Sequence, residues 1–483
     1  MKLVVLAVTL GSSSVVAKDN GLGLTPPMGW RSWNLFGADV TQELIQGIML
    51  GMTSRARTVD GVPTSLCDLG YCDVGLDDNW QQCGSYGADE FTYHSEDTGY
   101  PVINTDRFPD MKAMTDYAHS LNLTAGWYGN NCICKDHCGS GKQHNEDQGG
   151  ACYQGDVDSL VSFGFDGVKL DNCGDQKDLQ LWSDLITATG RPVMIENCHW
   201  GFTVPHRVVT NATADDEIWC PWNFFRTSQD VRASYSSVLF NLATTVPFAE
   251  RGLSFPGCWA YPDGLEVGCA HGPGGDNDPG LSAEETRSHF GSWCIVSSPL
   301  TLSHDVNNDT ITDAIWPVVA NPEALAINQA WAGHSGSPFK RAADTVTLPP
   351  IYKPSSSSSS PSSPRLMAGR NARGEQGVEE ETAASFLPVK AHAWQYLSKP
   401  LSYESPAVAV LLMNQASTPQ SLTLNFADVP GFLPTPTDDG SPAPAVAVRD
   451  VWARSGLGTF AGGVFATPLL QAHDAAFLVL TLA

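Results

Sequence analysis

In residues 164–174, GFDGVKLDNCG, Lys169 and Asp171 stand two apart at the end of a short apolar run. On a strand that spacing puts both side chains on one face. A surface strand end carrying a weak ion pair would read the same way, so the rest of the chain has to decide. Similar groups recur at the ends of other apolar runs: Asp77 and Asp78 after YCDVGL, Trp127 and Tyr128 in LTAGWYG, Arg226 and Asp230 in RTSQD, and Asp263 in AYPDG. Trp30 and Trp33 in GWRSW, and His199 and Trp200 in ENCHW, occupy comparable places. Carboxylates and indoles dominate, with no nucleophile elbow and no compact metal-ligand spacing. Aromatic faces suit the C–H side of a sugar, while carboxylates, Lys and Arg bind hydroxyls. The set points to a carbohydrate site. Taken singly, each has a plainer explanation: Asp77-Asp78 as a turn, the indoles and Tyr128 as core, Arg226 paired with a surface acid, His199 as a rim histidine without a ligand.

The elements that must carry these groups alternate between short β-like runs and helical patterns from residue 24 to about 330. Eight strand ends are expected, at Trp30, in 71–78, 123–129, 167–171, 192–197, 217–220 (EIWC) and 254–263, and within 294–305. Helical patterns between them include 230–243, which places Asp230 in a first helical turn, and 282–293, which opens with a Ser282–Glu285 capping box. Strands and helices in this order suggest α/β structure, a parallel (β/α)8 barrel above all. An open doubly wound sheet is the runner-up, but no Gly-rich nucleotide fingerprint follows an early strand. Past residue 332 the chain reads as short alternating strands, so 18–332 is expected to be the barrel and 333–483 a small antiparallel β domain. Within the latter, 353–381 is serine-rich and low in complexity, the composition of a disordered loop.

The 483 residues carry a formal charge of -25, which argues against nucleic acid or an anionic membrane as partner. Residues 1–17 have an early Lys, a short apolar run and a small-residue end at Ala17, as in a cleaved signal peptide. All 13 Cys lie between Cys67 and Cys294. In an exported chain most are expected in disulfides with at least one free, and Cys294, in an apolar helical pattern, fits a buried thiol. Zinc binding by CICKDHC (132–138) is the alternative for that run, though no second half-site is evident. Asn122, Asn211 and Asn308 head glycosylation sequons.

Seven blocks in order, PPMGWRSWN, YCDVGLDDNW, GVKLDNCG, RTSQD, PDGLEVG, HFGSWCIVSSPL and ANPEALAINQ, resemble glycoside hydrolase family 27, the α-galactosidases and α-N-acetylgalactosaminidases. The resemblance spans roughly residues 22–350 and implies a (β/α)8 barrel followed by an antiparallel β-sandwich, with a retaining mechanism and no cofactor or metal. It makes Asp171 the nucleophile and Asp230 the acid/base, and places Trp33, Asp77, Asp78, Tyr128, Lys169, Arg226 and Asp263 against the sugar. A retaining pair of carboxyls stands about 5 to 5.5 Å apart. Lys169 is expected to keep Asp171 ionised. For Asp230 the helix dipole would lower the pKa, while burial and the charge of Asp171 would raise it; the second effect is expected to win. By analogy, one of Cys132, Cys134 or Cys138 should bridge to Cys173, with Cys198–Cys220 and Cys258–Cys269 as further pairs.

Three positions depart from the family pattern, and the first bears on the sugar. His199 stands where the family usually has a Glu that contacts the 2-hydroxyl, with Glu196 three residues earlier either compensating or structural. Arg31 replaces a common Asn and is expected at the rim or in solvent; Asn79 replaces a frequent Cys, so disulfides among Cys67, Cys72 and Cys83 are expected to be rewired. The leading expectation is an exported exo-acting α-galactosidase acting on oligosaccharides or glycoconjugates, in an extracellular, vacuolar or lysosomal setting, with oligomeric state open. An α-N-acetylgalactosaminidase or β-L-arabinopyranosidase is the alternative within the family. A non-catalytic carbohydrate-binding protein on the same scaffold is the alternative outside it.

Overall fold

Eight short runs form the parallel strands of one curled sheet: β1 (Met28–Arg31), β2 (Asp73–Gly75), β3 (Thr124–Gly129), β4 (Gly167–Asp171), β5 (Met194–Cys198), β6 (Phe224–Arg226), β7 (Trp259–Tyr261) and β8 (Leu300–Leu302). Their order is β7-β6-β5-β4-β3-β2-β1-β8. The circle is completed just past β7, where the Leu265 N–H donates to the Thr301 carbonyl at 2.8 Å. The computed structural model describes residues 18–84, 93–95, 98–134, 150–208, 217–272, 278–348, 389–404, 406–433 and 444–483. The expected leader at 1–17, the serine-rich stretch at 353–381, Cys138 and Asn211 lie outside the described residues.

β4 is buried at all five positions, as a parallel strand covered on both faces must be. The helices that cover the sheet start where polar side chains can cap them. Thr41 caps α1 (Gln42–Thr53), Asp110 caps α2 (Met111–Ser120), Asp178 caps α4 (Leu179–Ala188) and Asn308 caps α7 (Asp309–Val319), each accepting a backbone N–H of the first turn. α3 is Gly150–Phe163 and α5 is Tyr235–Ala243. The expected capping box opens α6 (Ala283–Ile295), with Ser282 and Glu285 each satisfying the other's backbone N–H.

The sixth strand differs from expectation. EIW (Glu217–Trp219) pairs with His206–Val208 in a hairpin outside the barrel, and β6 is the FFR segment seven residues later. Both segments have β-forming side chains, but only Phe224–Arg226 is buried at every position. Among the described residues no helix separates β5 from β6.

Beyond the barrel, six antiparallel strands form a second sheet, backed by the ribbon Thr423–Asn425 with Val464–Ala466. Its strand Ala407–Met413 shows period-two alternation with both faces buried. Val408, Val410 and Leu412 join the sandwich interior, while Ala409, Leu411 and Met413 join the barrel's apolar cluster. Gly291 of α6 makes room for this contact, since a Cβ there would lie 2.8 Å from Leu411. No helix among the described residues is long and apolar enough to cross a membrane.

Candidate active site

The carboxyl ends of the strands bring the expected side chains to one mouth. Tyr128 and Lys169 are register partners on β3 and β4, as are Asp171 and Cys198 on β4 and β5. Asp171 is buried; its Oδ2 accepts from the Tyr128 hydroxyl at 2.7 Å and its Oδ1 from the Asn172 N–H at 2.7 Å. Lys169 donates to Asp77 Oδ2 at 2.7 Å and not to Asp171. The lysine therefore acts on Asp171 only through space. Burial lifts the Asp171 pKa to about 7, against the pull of Lys169, and Asp230 pushes it further in the same direction. The expected effect of Lys169 has the right sign, but desolvation outweighs it.

Asp230 departs further from expectation. α5 begins at Tyr235 with Ser234 as N-cap, so Asp230 lies in the preceding loop, beyond the reach of the helix dipole. Its carboxylate accepts from Arg226 Nη2 at 2.9 Å, and Asp263 lies 3.0 Å from the same nitrogen. The Asp230 side chain is 55% exposed at the mouth, whereas Arg226 is 1% exposed. The surrounding walls oppose ionisation, but water reaches the carboxylate, and Arg226 followed by Lys169 holds its pKa below the ordinary value. The rise expected from Asp171 is outweighed because Arg226 is in direct contact. Asp263 also accepts from Val231 N–H at 2.8 Å and sits at φ +92°, a strained setting for a non-glycine residue.

Asp78 ties two loops together. Its Oδ2 accepts from the Cys132 and Ile133 N–H groups at 2.8 and 3.0 Å, and burial raises its pKa to about 6. The Cys132–Cys173 disulfide fastens the same loop to the end of β4, and Cys83–Cys134 fastens it to the loop after β2. Cys132 and Cys134 are thus both in disulfides with distant partners, so neither offers a thiolate to zinc. Cys132 and Cys173 lie close to Asp171, but as disulfide sulfurs they are not metal ligands. Cys67 pairs with Cys72, and Cys152 is also disulfide-bonded.

Two expected disulfides are absent. Cys220 pairs with Cys258, while Cys198 and Cys269 are free and buried, as is Cys294. Cys220 and Cys258 precede β6 and β7, at the amino end of the barrel, whereas Cys198 ends β5 and Cys269 follows β7, at the mouth. Each expected pair would have spanned the barrel's height, farther than a disulfide reaches. Cys198 instead places its thiol 3.4 Å from Arg226 Nη1. Assigning it to a disulfide hid its place at the site.

His199 is 1% exposed, with Nδ1 3.0 Å from the Thr203 hydroxyl and Nε2 lacking a partner among the described residues. Burial, reinforced by Lys177, lowers its pKa to about 4, so the ring is neutral at ordinary pH. Trp33 is half-buried in the single turn after β1, while Trp30 is core, donating to the His304 carbonyl. Trp127 is likewise core, stacked on Phe165, and Trp200 is half-buried at φ +52°. Asn79 bridges Ala38 and Arg107. Arg31 reaches neither rim nor solvent; it turns into the barrel and pairs with Glu196 at 3.0 Å. An inward strand position was the available signal for it.

Known proteins share this arrangement. Residues 25–330 match the family described as Alpha galactosidase A, and residues 391–480 match the Alpha galactosidase C-terminal beta sandwich domain. Alpha-galactosidase 3 of Arabidopsis thaliana is 27% identical over 477 residues, covering 96% of this chain and 83% of that protein. The fold is shared with α-galactosidase I of Mortierella vinacea (TM-score 0.65, 21% identity, 96% of this chain and 100% of that one). It is shared equally with a β-L-arabinopyranosidase of Geobacillus stearothermophilus in complex with arabinose (TM-score 0.67, 17% identity, 97% and 100%). The barrel, the sandwich and the family match together show that the chain belongs to glycoside hydrolase family 27, the α-galactosidase family.

Proposed function

We propose that the chain is a retaining exo-acting α-galactosidase with Asp171 as nucleophile and Asp230 as acid/base. One observation carries the reading. Two carboxyls face one mouth and feel each other's charge, one buried under a tyrosine hydroxyl and the other open to incoming groups. Asp171 attacks the anomeric carbon while Asp230 delivers a proton to the leaving oxygen, giving a galactosyl ester on Asp171. Asp230, now anionic, takes a proton from water, which attacks the ester and releases the sugar with its configuration retained.

Burial around Asp171 and the Arg226 contact at Asp230 favour a proton on Asp171 over Asp230, opposite to what the first step needs. Moving that proton from Asp171 to Asp230 arms the site. Sugar hydroxyls that accept from Arg226 weaken its hold on Asp230 and let that residue take the proton. Trp33 offers a ring to the sugar's C–H face; Asp77, Asp78, Lys169 and Asp263 supply partners for hydroxyls. By the family pattern neutral His199 stands at the substituent at C2, which separates galactose from N-acetylgalactosamine; its Nε2 is buried and lacks a partner among the described residues. A β-L-arabinopyranoside offers the same ring hydroxyls without the C6 group. The disulfides fit maturation in an oxidising, secretory-pathway compartment.

Hydrolysis of nitrophenyl α-galactoside, α-N-acetylgalactosaminide and β-L-arabinopyranoside, followed by NMR of the first-formed sugar, tests this reading. Preferred turnover of the galactoside with α-galactose released first is the expected result. Inversion, or sugar binding without turnover of any substrate, refutes it; the latter favours a carbohydrate-binding role.

A further inference from the structure

Arg31 and Glu196 have no part in the chemistry above, yet they form a buried ion pair across the barrel from β1 to β5. Nη2 and Oε2 are 3.0 Å apart, and the side chains are 12% and 4% exposed. The barrel is shaped around them. A Cβ on Gly75 would lie 2.9 Å from Arg31 Cζ, so glycine at that position of β2 gives the guanidinium its berth. Such a pair does not explain itself by stability, since desolvating two charges offsets most of their attraction and an apolar pair of similar volume does as well.

Its surroundings suggest another role. After burial, Glu196 and then Asp77 are the main charges acting on Arg31, and Asp77 and Glu196 both act on Lys169. Lys169 and Glu196 are register partners on β4 and β5, so Asp77, Lys169, Glu196 and Arg31 alternate in sign along the wall beneath the mouth, with Asp73 a further acid acting on Arg31. Two contacts are direct, Lys169–Asp77 at 2.7 Å and Arg31–Glu196 at 3.0 Å.

We infer that Arg31 and Glu196 are a positioning pair, which holds the Lys169 ammonium on Asp77 and so fixes the hydroxyl-binding edge of the sugar site. With Arg31 gone, Glu196 is left as a buried acid that draws Lys169 away from Asp77. With Glu196 gone, Arg31 competes with Lys169 for Asp77. With both gone, the Lys169–Asp77 pair stands undisturbed. The inference rests on the glycosidase reading, and wild-type turnover of nitrophenyl α-galactoside is the control that separates failure of one from failure of the other.

The test is a cycle of Arg31→Met, Glu196→Gln and the double variant, measuring kcat/KM from pH 4 to 8 on protein shown to be folded by near-UV circular dichroism. Each single variant is expected to lose about tenfold or more in kcat/KM with a displaced pH profile, and the double to return within about threefold of wild type. A purely structural pair would lower Tm in the single variants and leave kcat/KM and the profile unchanged, overturning the inference. A double variant as impaired as the single ones also overturns it. Should a single variant not fold, Arg31→Lys and the double decide: both within about threefold supports the inference, and a tenfold loss in the double refutes it.

Discussion

The Tyr128 hydroxyl donates to Asp171 Oδ2 at 2.7 Å, and it is the direct side-chain support this carboxylate has from a neighbouring strand. Lys169, on the same strand face as Asp171, is committed to Asp77. The ionisation of Asp171 thus depends on a neutral donor and a distant cation working against burial.

Tyr128→Phe removes that donor. A hydrogen bond to a charged acceptor stabilises the ionised form, so its loss raises the Asp171 pKa above the value of about 7 set mainly by burial. The acid limb of the kcat/KM profile is expected to move up by about one pH unit, with the largest activity loss at low pH. A pH–rate series on both enzymes checks this; an unmoved limb would show that the hydroxyl does not bear on Asp171.

Stability should respond to Asp171 in the opposite sense to an ordinary salt-bridged carboxylate. Its pKa is raised from 3.8 to about 7 by burial, so between those values the folded chain binds the proton more tightly than the unfolded chain. That contribution is fully present below about pH 4 and is lost as pH rises through 7. Asp171→Asn, neutral at every pH, is therefore expected to exceed wild type in Tm by at least about 2 °C at pH 8 and to match it near pH 4. Thermal melts across that range would reveal a difference that does not change with pH if the account is mistaken.

The Cys132–Cys173 disulfide closes a loop with a sequence separation of 41 and holds the backbone N–H groups that Asp78 accepts. Replacing both with Ala is expected to lower stability by about 3 to 4 kcal/mol. KM for nitrophenyl α-galactoside should rise more than kcat falls, because Asp78 loses its anchor while the two carboxyls remain. Urea melts and steady-state kinetics on the double variant provide the check.

What could be read from the chain alone follows the range of each interaction. The shared face of Lys169 and Asp171 is a local consequence of strand periodicity, and the capping box at Ser282 is equally local. The sixth strand was misplaced because EIW has the side chains of a strand and became one, but in a hairpin on the outside; FFR is too short to show a period. The Cys198 and Cys269 pairings failed because amino-end and mouth positions alternate along a barrel chain, and nothing local marks which end a Cys occupies. The charge balance at Asp230 was inverted for a similar reason. Arg226, four residues earlier, was visible, but its direct contact with Asp230 at 2.9 Å belongs to the loop geometry.

The central claim is that Asp171 forms the covalent bond to the sugar. Incubation with a fluorinated, slowly released galactosyl substrate, followed by proteolysis and tandem mass spectrometry, reads this out directly. The account predicts one galactosyl adduct, on the peptide containing Asp171 and on that carboxyl, absent in Asp171→Ala. An adduct on another residue, or full consumption of the reagent with no adduct, would contradict it.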